Sequence, residues 1–471
     1  MRFQKFFAIA GLNWISLSNG FVFGQIACVA SSLQKGEDGI HLSEGQISLI
    51  SSSLTIMCMV GFALAAVVTD KLGRRWPFVI FSITIIINWI VLYYAQTMLH
   101  FMLSRVLGGT AVGALLVLVI FVTAEYVPPN TRAFHLNMAI TVAPAIGTSL
   151  AHAVGTALHW RHVALFGILP AFISIFLPYF WPESPHWLAS KGRFEEAQTA
   201  FRKLHGNTED TERELGLLIK MERSKSEIAK ETAKKSTTKK LLIIFKRKCC
   251  WEPFILSIFM HAYIAASGKL VFSTLAPVML EQITGTSDVF LFTLLVDGFL
   301  FIGACLSCFF IRRTSIRTLL FTTGFTANVI LVIFSALYYF RNGKTYFDWI
   351  NVSFLASYFI ILNAGPYPLL EALYGEIFPL ELKVHIFALS GSILMAAFSL
   401  TIFLLPFIVS AMGYHGLFLM NAAIMTVSLG AIWLRLPETK GKTLQEIEVY
   451  FKTKTFDIEE VLNTEQARAL I

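Results

Sequence analysis

The chain has 471 residues, 55% of them apolar and only 14% charged, with a formal net charge of +8. A mean hydropathy of +0.65, with the charges gathered between long apolar runs, excludes a soluble domain of ordinary size. The positive charge falls in alternate loops, which is a pattern of membrane topology and not of nucleic-acid binding.

A bilayer crossing needs roughly 20 apolar residues. Twelve such runs follow in order, at about 11–32, 45–68, 77–96, 101–123, 134–157, 163–181, 254–278, 289–311, 317–340, 349–373, 385–411 and 415–436. The first feeds directly into a span and does not read as a cleaved signal peptide. Backbone polar groups in hydrocarbon must bond internally, so all twelve are expected as helices, with Gly108, Gly109, Gly113, Pro144, Pro366 and Pro368 tolerated inside the bundle. The expected class is an all-α membrane protein of twelve transmembrane helices in two pseudo-symmetric halves. Residues 1–184 form the N-terminal six-helix half and 185–250 a cytoplasmic loop with short helices. Residues 251–440 form the C-terminal half and 441–471 a cytoplasmic tail.

Lysine and arginine set the sidedness. Arg2, Lys5, Lys71, Arg74, Arg75, Arg132, Arg312, Arg313, Arg317, Lys383, Lys440 and Lys442 share one side with the long loop, whereas the other side holds few, such as Lys35, Arg161, Arg341 and Lys344. Both termini are therefore expected in the cytoplasm, the bilayer being the chain's first partner. Within the loop, Phe194, Ala197, Phe201 and Leu204 share one helical face, and Leu215, Leu218 and Met221 another. The alternative is a solvated linker. Of the six cysteines, four lie in apolar runs and Cys249-Cys250 border the basic loop, so neither a disulfide framework nor a zinc spacing arises. Cys305-x-x-Cys308 lies inside an apolar helix, a poor place for a metal or redox centre. No metal, cofactor or nucleotide loop is expected, and no nucleophile–base set suggests an enzyme. No feature specifies an oligomeric state or a nucleic-acid partner.

Two motifs recur at the half-chain distance. Glu125-x-x-Pro128-x-x-x-Arg132 returns as Glu376-x-x-Pro379-x-x-x-Lys383, and Pro182-Glu183-Ser184 as Pro437-Glu438-Thr439. A duplicated hydrophobic bundle serves most often to rock two halves about a central site. Further signals join these: Asp70-Lys-Leu-Gly73-Arg74-Arg75 after span two, Arg105-Val-Leu-Gly-Gly109 in span four, Trp160-Arg161 after span five, and Pro437-Glu-Thr-Lys-Gly-Lys-Thr-Leu-Gln-Glu446 after span twelve. Together they resemble the sugar porter branch of the major facilitator superfamily, from about Asn13 to Phe451. Spans one and two look most like the insect facilitated trehalose-type transporters. The resemblance implies facilitative transport of a sugar, of the trehalose or hexose class, across the plasma membrane by alternating access. It also implies a cytoplasmic latch formed here by Asp70, Arg74, Arg75, Glu125, Arg132, Glu183, Glu376, Lys383 and Glu438, closed while the site faces outward.

The departures from that family fall in its sugar site. Ile140, Ile264-Ala265 and a position near Phe398 stand where the branch carries amides, and Glu371 where it carries tryptophan. Amides grip sugar hydroxyls because they both donate and accept. The second half also lacks the Asp and Gly of the turn motif, having Ile311-Arg-Arg-Thr-Ser-Ile-Arg317. In exchange it places Lys269, Asp297 and Glu371 inside apolar spans, where charges are costly and face a cavity or one another. Lys269 is expected to pair with one of the two acids, Asp297 before Glu371, because spans seven and eight are sequential. Candidate substrate contacts are Gln25, Ser267, Lys269, Asp297, Asn363, Tyr367 and Glu371, with Asn19, Thr274 and Tyr358 as further polar residues. Each also has a plainer reading as a helix–helix hydrogen bonder. His152 and His261 read as packing residues. Val22, where proton-driven relatives carry Asp, speaks against proton coupling. Two other functions stay open: a diverged carrier of another polar or charged solute, with or without proton coupling, and a nutrient receptor that does not transport.

Overall fold

The computed structural model describes residues 3–34, 36–231, 248–269, 289–340, 346–379 and 383–458, and contains no strand among them. The expected outer part of span seven with Thr274, the loop segment 232–247, and Arg2, Lys35, Arg341 and Lys344 lie outside the described residues. The first half holds α1 (Phe3–Gln34), α2 (Glu44–Leu72), α3 (Arg75–Tyr93) and α4 (Met98–Tyr126). Its fifth span joins α5 (Pro129–Asn137), a π turn (Met138–Val142) and α6 (Ala143–Ala157), and α7 (Trp160–Phe176) follows. The long loop carries α8 (Pro185–Ser190), α9 (Phe194–His205) and α10 (Glu209–Glu231).

The second half holds α11 (Lys248–Ala266), α12 (Val289–Arg313) and α13 (Ile316–Tyr339). Its tenth span is split into α14 (Tyr346–Ala364) and α15 (Pro366–Ile377). Spans eleven and twelve form one helical stretch, α16 (Lys383–Arg435), broken at Gly413 where φ is 68°. The tail helix α17 (Leu444–Thr453) starts on a capping box between Thr443 and Glu446. Eleven helical segments of the described residues are long and apolar enough to cross a membrane. Span seven is described only as far as Lys269.

The expected spans match these helices within a few residues, with one instructive difference. Helix α1 begins at Phe3, well before the apolar run. Its first turn exposes Phe3 and Phe6, aromatic residues suited to the membrane interface. Small residues let the helices approach closely. A Cβ on Gly113 of α4 would lie 2.4 Å from the Cys58 carbonyl oxygen of α2, and one on Gly20 of α1 would lie 2.1 Å from the Pro144 oxygen of α6. The described part of the loop is no solvated linker: Ala197, Phe201, Leu204, Leu215 and Leu218 are buried. Met221 packs with Val449 and Ile458, so α10 docks on the tail.

Candidate functional site

At the end of the bundle that the Lys/Arg asymmetry would set toward the cytoplasm, the nine candidate latch residues divide into two kinds of contact. The first kind stays within a half. The Glu183 carboxylate accepts from the backbone N–H groups of Arg74 (2.8 Å), Arg75 (3.3 Å) and Ser184 (2.8 Å). Glu438 does the same for Ile316 (3.2 Å), Arg317 (3.1 Å) and Lys440 (3.0 Å). Each carboxylate satisfies the free N–H groups at the start of α3 or α13 and sits at the positive end of that helix. The duplicated Pro-Glu-Ser/Thr motif is thus a duplicated helix cap, kept in the second half despite the lost Asp and Gly. Burial pushes the Glu183 carboxyl above its ordinary range. The neighbouring His186 is driven down to about 4 by burial and adds no charge at neutral pH.

Glu125 lies beside this cap. It accepts from the Ser184 hydroxyl at 2.5 Å and from Arg74 at 3.5 Å. Arg75 donates to the Pro178 carbonyl at 2.8 Å. Neither arginine makes the two-pronged carboxylate pair its fork allows.

The second kind joins the halves. Arg132, 2% exposed, donates to the Ala124 carbonyl at 3.1 Å and to the Lys442 carbonyl of the tail at 3.0 Å, with Glu376 as its charge partner. Lys383 lies 4.9 Å over the Phe121 ring, and its charge acts on Glu125. Asp70 meets His385 at 3.4 Å, and the Phe387 ring packs on Phe62 and Phe121. Groups from both halves therefore meet at this end of the bundle.

Toward the middle of the membrane two helix breaks face each other. Helix α11 ends at Ala266, followed by Gly268 with φ +73°, and the tenth span breaks at Gly365. Broken helices at this depth are where carriers build solute sites. The Tyr358 hydroxyl donates to the Ser267 carbonyl at 2.8 Å, satisfying one group the break frees, while the Ser267 hydroxyl donates to Ile264 of its own helix. Lys269 donates to Asn363 at 3.2 Å and lies 3.8 Å over the Tyr367 ring. Asn363 passes its own N–H to the Leu300 carbonyl at 3.2 Å. Glu371, one turn along α15, bonds Tyr367 and is the acid whose charge acts on Lys269. Lys269, Asn363, Tyr367 and Glu371 thus form one cluster, with Lys269 and Glu371 half-buried.

Two expected members lie elsewhere. Asp297 does not pair with Lys269; its carboxylate meets the His152 imidazole of the other half at 2.6 Å. The physical reason is that α12 packs against the fifth and tenth spans, so sequence adjacency to span seven decides nothing. Gln25 is fully buried and accepts from Arg105 at 3.1 Å inside the first half. Sequence reasoning took His152 only as a packing residue and missed His385, and it counted Lys440 only toward sidedness, whereas its amine donates to the carbonyls of Ile311, Arg312 and Thr314. For Lys440 the signal was available, since a lysine two residues past Glu438 faces the preceding helix end.

Comparison with known proteins agrees with this geometry. The family model described as "Sugar (and other) transporter" matches residues 3–451. The chain belongs to that family of membrane transporters, within the major facilitator fold, and is not an enzyme. It is 28% identical over 432 residues to the probable metabolite transport protein CsbC of Bacillus subtilis, covering 90% of either chain. It is 25% identical over 448 residues to sugar transporter ERD6-like 6 of Arabidopsis thaliana, covering 92% of this chain and 87% of the relative. It is likewise 25% identical over 406 residues to the facilitated trehalose transporter Tret1 of Apis mellifera ligustica, covering 85% and 79%. Among solved structures, the proton:xylose symporter XylE bound to 6-bromo-6-deoxy-D-glucose superposes with a TM-score of 0.78 at 19% identity, covering 94% of this chain and 99% of that one. The inward-open form of XylE from E. coli gives 0.63 at 18% identity, covering 94% and 99%.

Proposed function

We propose that this chain carries a sugar of the trehalose or hexose class across the plasma membrane by alternating access. The observation that carries the reading is the cross-half cytoplasmic layer of Arg132, Glu376, Lys383, Asp70 and His385, set below a midplane site at two helix breaks. Arg132, Glu376 and Lys383 of this layer are buried, where a polar group deprived of its partner costs about 1–3 kcal/mol. A few together bias two states that differ by a few kcal/mol. With the layer closed, the site communicates with the outside; as the layer parts, the halves rock and the solute leaves inward. The functional units are the halves 1–184 and 251–440, with α10 of the loop packed on the described part of the tail through Met221, Val449 and Ile458.

One observation favours a second reading. Lys269 and Glu371 stand at the breaks, with Ile264 and Ala265 alongside, so a carrier retuned to another polar or charged solute fits the same geometry. A receptor that binds without moving its ligand lacks any comparable support, since the latch groups are in place. Uptake of labelled trehalose and hexoses into proteoliposomes tests the first reading, with accumulation above empty vesicles expected for at least one. Uptake confined to charged solutes would favour the second. The Lys/Arg asymmetry supports a cytoplasmic location for both termini. Tags at the N-terminus and near Lys225 should bind antibody only after permeabilisation; staining of intact cells would reverse the topology.

A further inference from the structure

A cavity of about 610 Å³ opens at the latch end of the first half, between the start of α3 and the loop helices α8 and α9. One rim is apolar. Leu72 closes α2 and Trp76 is the second residue of α3, and both are exposed. Trp76 begins a row of exposed apolar residues on α3 that continues through Ile80, Ile83, Ile87 and Ile90. Steps of four and three residues set the row on one helical face, the face that α3 turns to lipid. The Trp76 ring meets Tyr179 edge-on at 5.9 Å, and amphipathic rings of this kind favour the level of the lipid headgroups. The cavity therefore begins where the apolar face of α3 ends.

The opposite wall is charged, and most of its charges are already matched. The Arg193 guanidinium holds both oxygens of Glu196, at 2.7 and 2.5 Å. The Glu183 carboxylate is taken up by the three backbone N–H groups of its helix cap. Three groups are left. Arg75 gives its Nε to the Pro178 carbonyl, and its terminal nitrogens meet no carboxylate among the described residues. Lys203 and Glu195 line the cavity from one face of α9, exposed and without an ion pair among the described residues. Two turns of helix, about 12 Å along the axis, keep them from pairing with each other. Two cations against one acid leave a surplus of positive charge beside the apolar rim.

We infer that this cavity binds the headgroup of an anionic phospholipid, with the phosphodiester at Arg75 and Lys203 and the acyl chains along Trp76 and the isoleucine face of α3. A guanidinium fork suits phosphate oxygens, and a lysine adds a point charge. On the sidedness proposed above, this end of the bundle meets the leaflet that carries anionic lipids. A lipid is favoured over a free anion because the unmatched cations and the lipid-facing row adjoin at one rim. The bound headgroup joins α9 to the turn before α3, the turn that Glu183 caps.

The inference needs the bilayer but not the identity of the solute. Thermal unfolding of the full chain in neutral detergent is followed with added dioleoylphosphatidylserine, dioleoylphosphatidylcholine or inorganic phosphate. A ligand of the folded state raises the unfolding temperature. The serine lipid is expected to do so saturably, and the choline lipid and phosphate far less. Lys203→Gln is expected to weaken the apparent affinity for the serine lipid about fivefold, the effect of one cation at an anionic surface. Lys220→Gln, on an exposed site of α10 outside the cavity, is expected to leave it unchanged. Arg75→Gln should weaken it further; if that variant does not fold, the two lysine variants carry the test. Equal stabilisation by both lipids, or equal losses in the two lysine variants, would reduce the binding to general lipid or charge effects and overturn the proposal. Stabilisation by phosphate to the same extent as by the serine lipid would assign the cavity to a soluble anion and overturn it as well. Saturable binding of the serine lipid by a chain that takes up no sugar would count against the sugar reading alone.

Discussion

Replacing Lys269 by Met is expected to lower stability by about 1–2 kcal/mol, less than the cost of breaking a fully buried pair because both groups are only half-buried. The change leaves Glu371 with the Tyr367 hydroxyl as its sole remaining partner of those described above. The converse change, Glu371→Gln, is expected to cost less. Lys269 then still has the Asn363 carbonyl oxygen at 3.2 Å and the Tyr367 ring face at 3.8 Å. The double variant should recover most of the loss, because no uncompensated charge remains. Thermal unfolding in detergent measures all three. A double variant no more stable than Lys269→Met would show that the two charges are not partners. Asp297→Asn should leave the Lys269→Met penalty unchanged, since Asp297 is paired with His152 in the other half.

The second large effect is expected at the latch. Arg132→Ala removes a guanidinium that is buried between the halves and leaves the Lys442 carbonyl and the Glu376 carboxylate without their cross-half partner. A buried polar group deprived of its partner costs about 1–3 kcal/mol. Two such groups weaken the cytoplasm-closed state by at least about 2 kcal/mol, well over tenfold in its population. Turnover is expected to fall about tenfold or more, with surface expression near that of the wild type. Lys in place of Arg should restore little, because a single ammonium cannot span Ala124 and Lys442 as the planar fork does. Initial-rate uptake normalised to surface protein checks this; wild-type rates in Arg132→Ala would remove the latch role.

Much of the fold was legible because it rests on one-dimensional signals. Spans are long apolar runs, and Pro366 and Pro368, expected only as tolerated inside the tenth span, stand at its break after Gly365. The loop helices showed their buried faces by spacing alone. Pairing across the halves was not legible. Asp297 and His152 lie on spans that are apolar nearly all round, so no periodicity tells which face meets which neighbour. Adjacent spans looked like natural partners for Lys269 and Asp297, yet α12 lies against the fifth and tenth spans. The candidate latch was named as a set of residues from the family resemblance. Its division into within-half helix caps at Glu183 and Glu438 and a cross-half layer around Arg132 depends on backbone N–H directions that sequence does not carry.

The account stands on movement of a solute through two alternating faces of one site. Counterflow tests this most directly: proteoliposomes loaded with unlabelled trehalose or hexose are placed in trace labelled solute, and the label inside is followed over time. The account predicts a transient accumulation of label above the equilibrium level, abolished by omitting the internal sugar and slowed by Arg132→Ala. Saturable binding of the same sugar with no counterflow would contradict it and leave the chain a receptor.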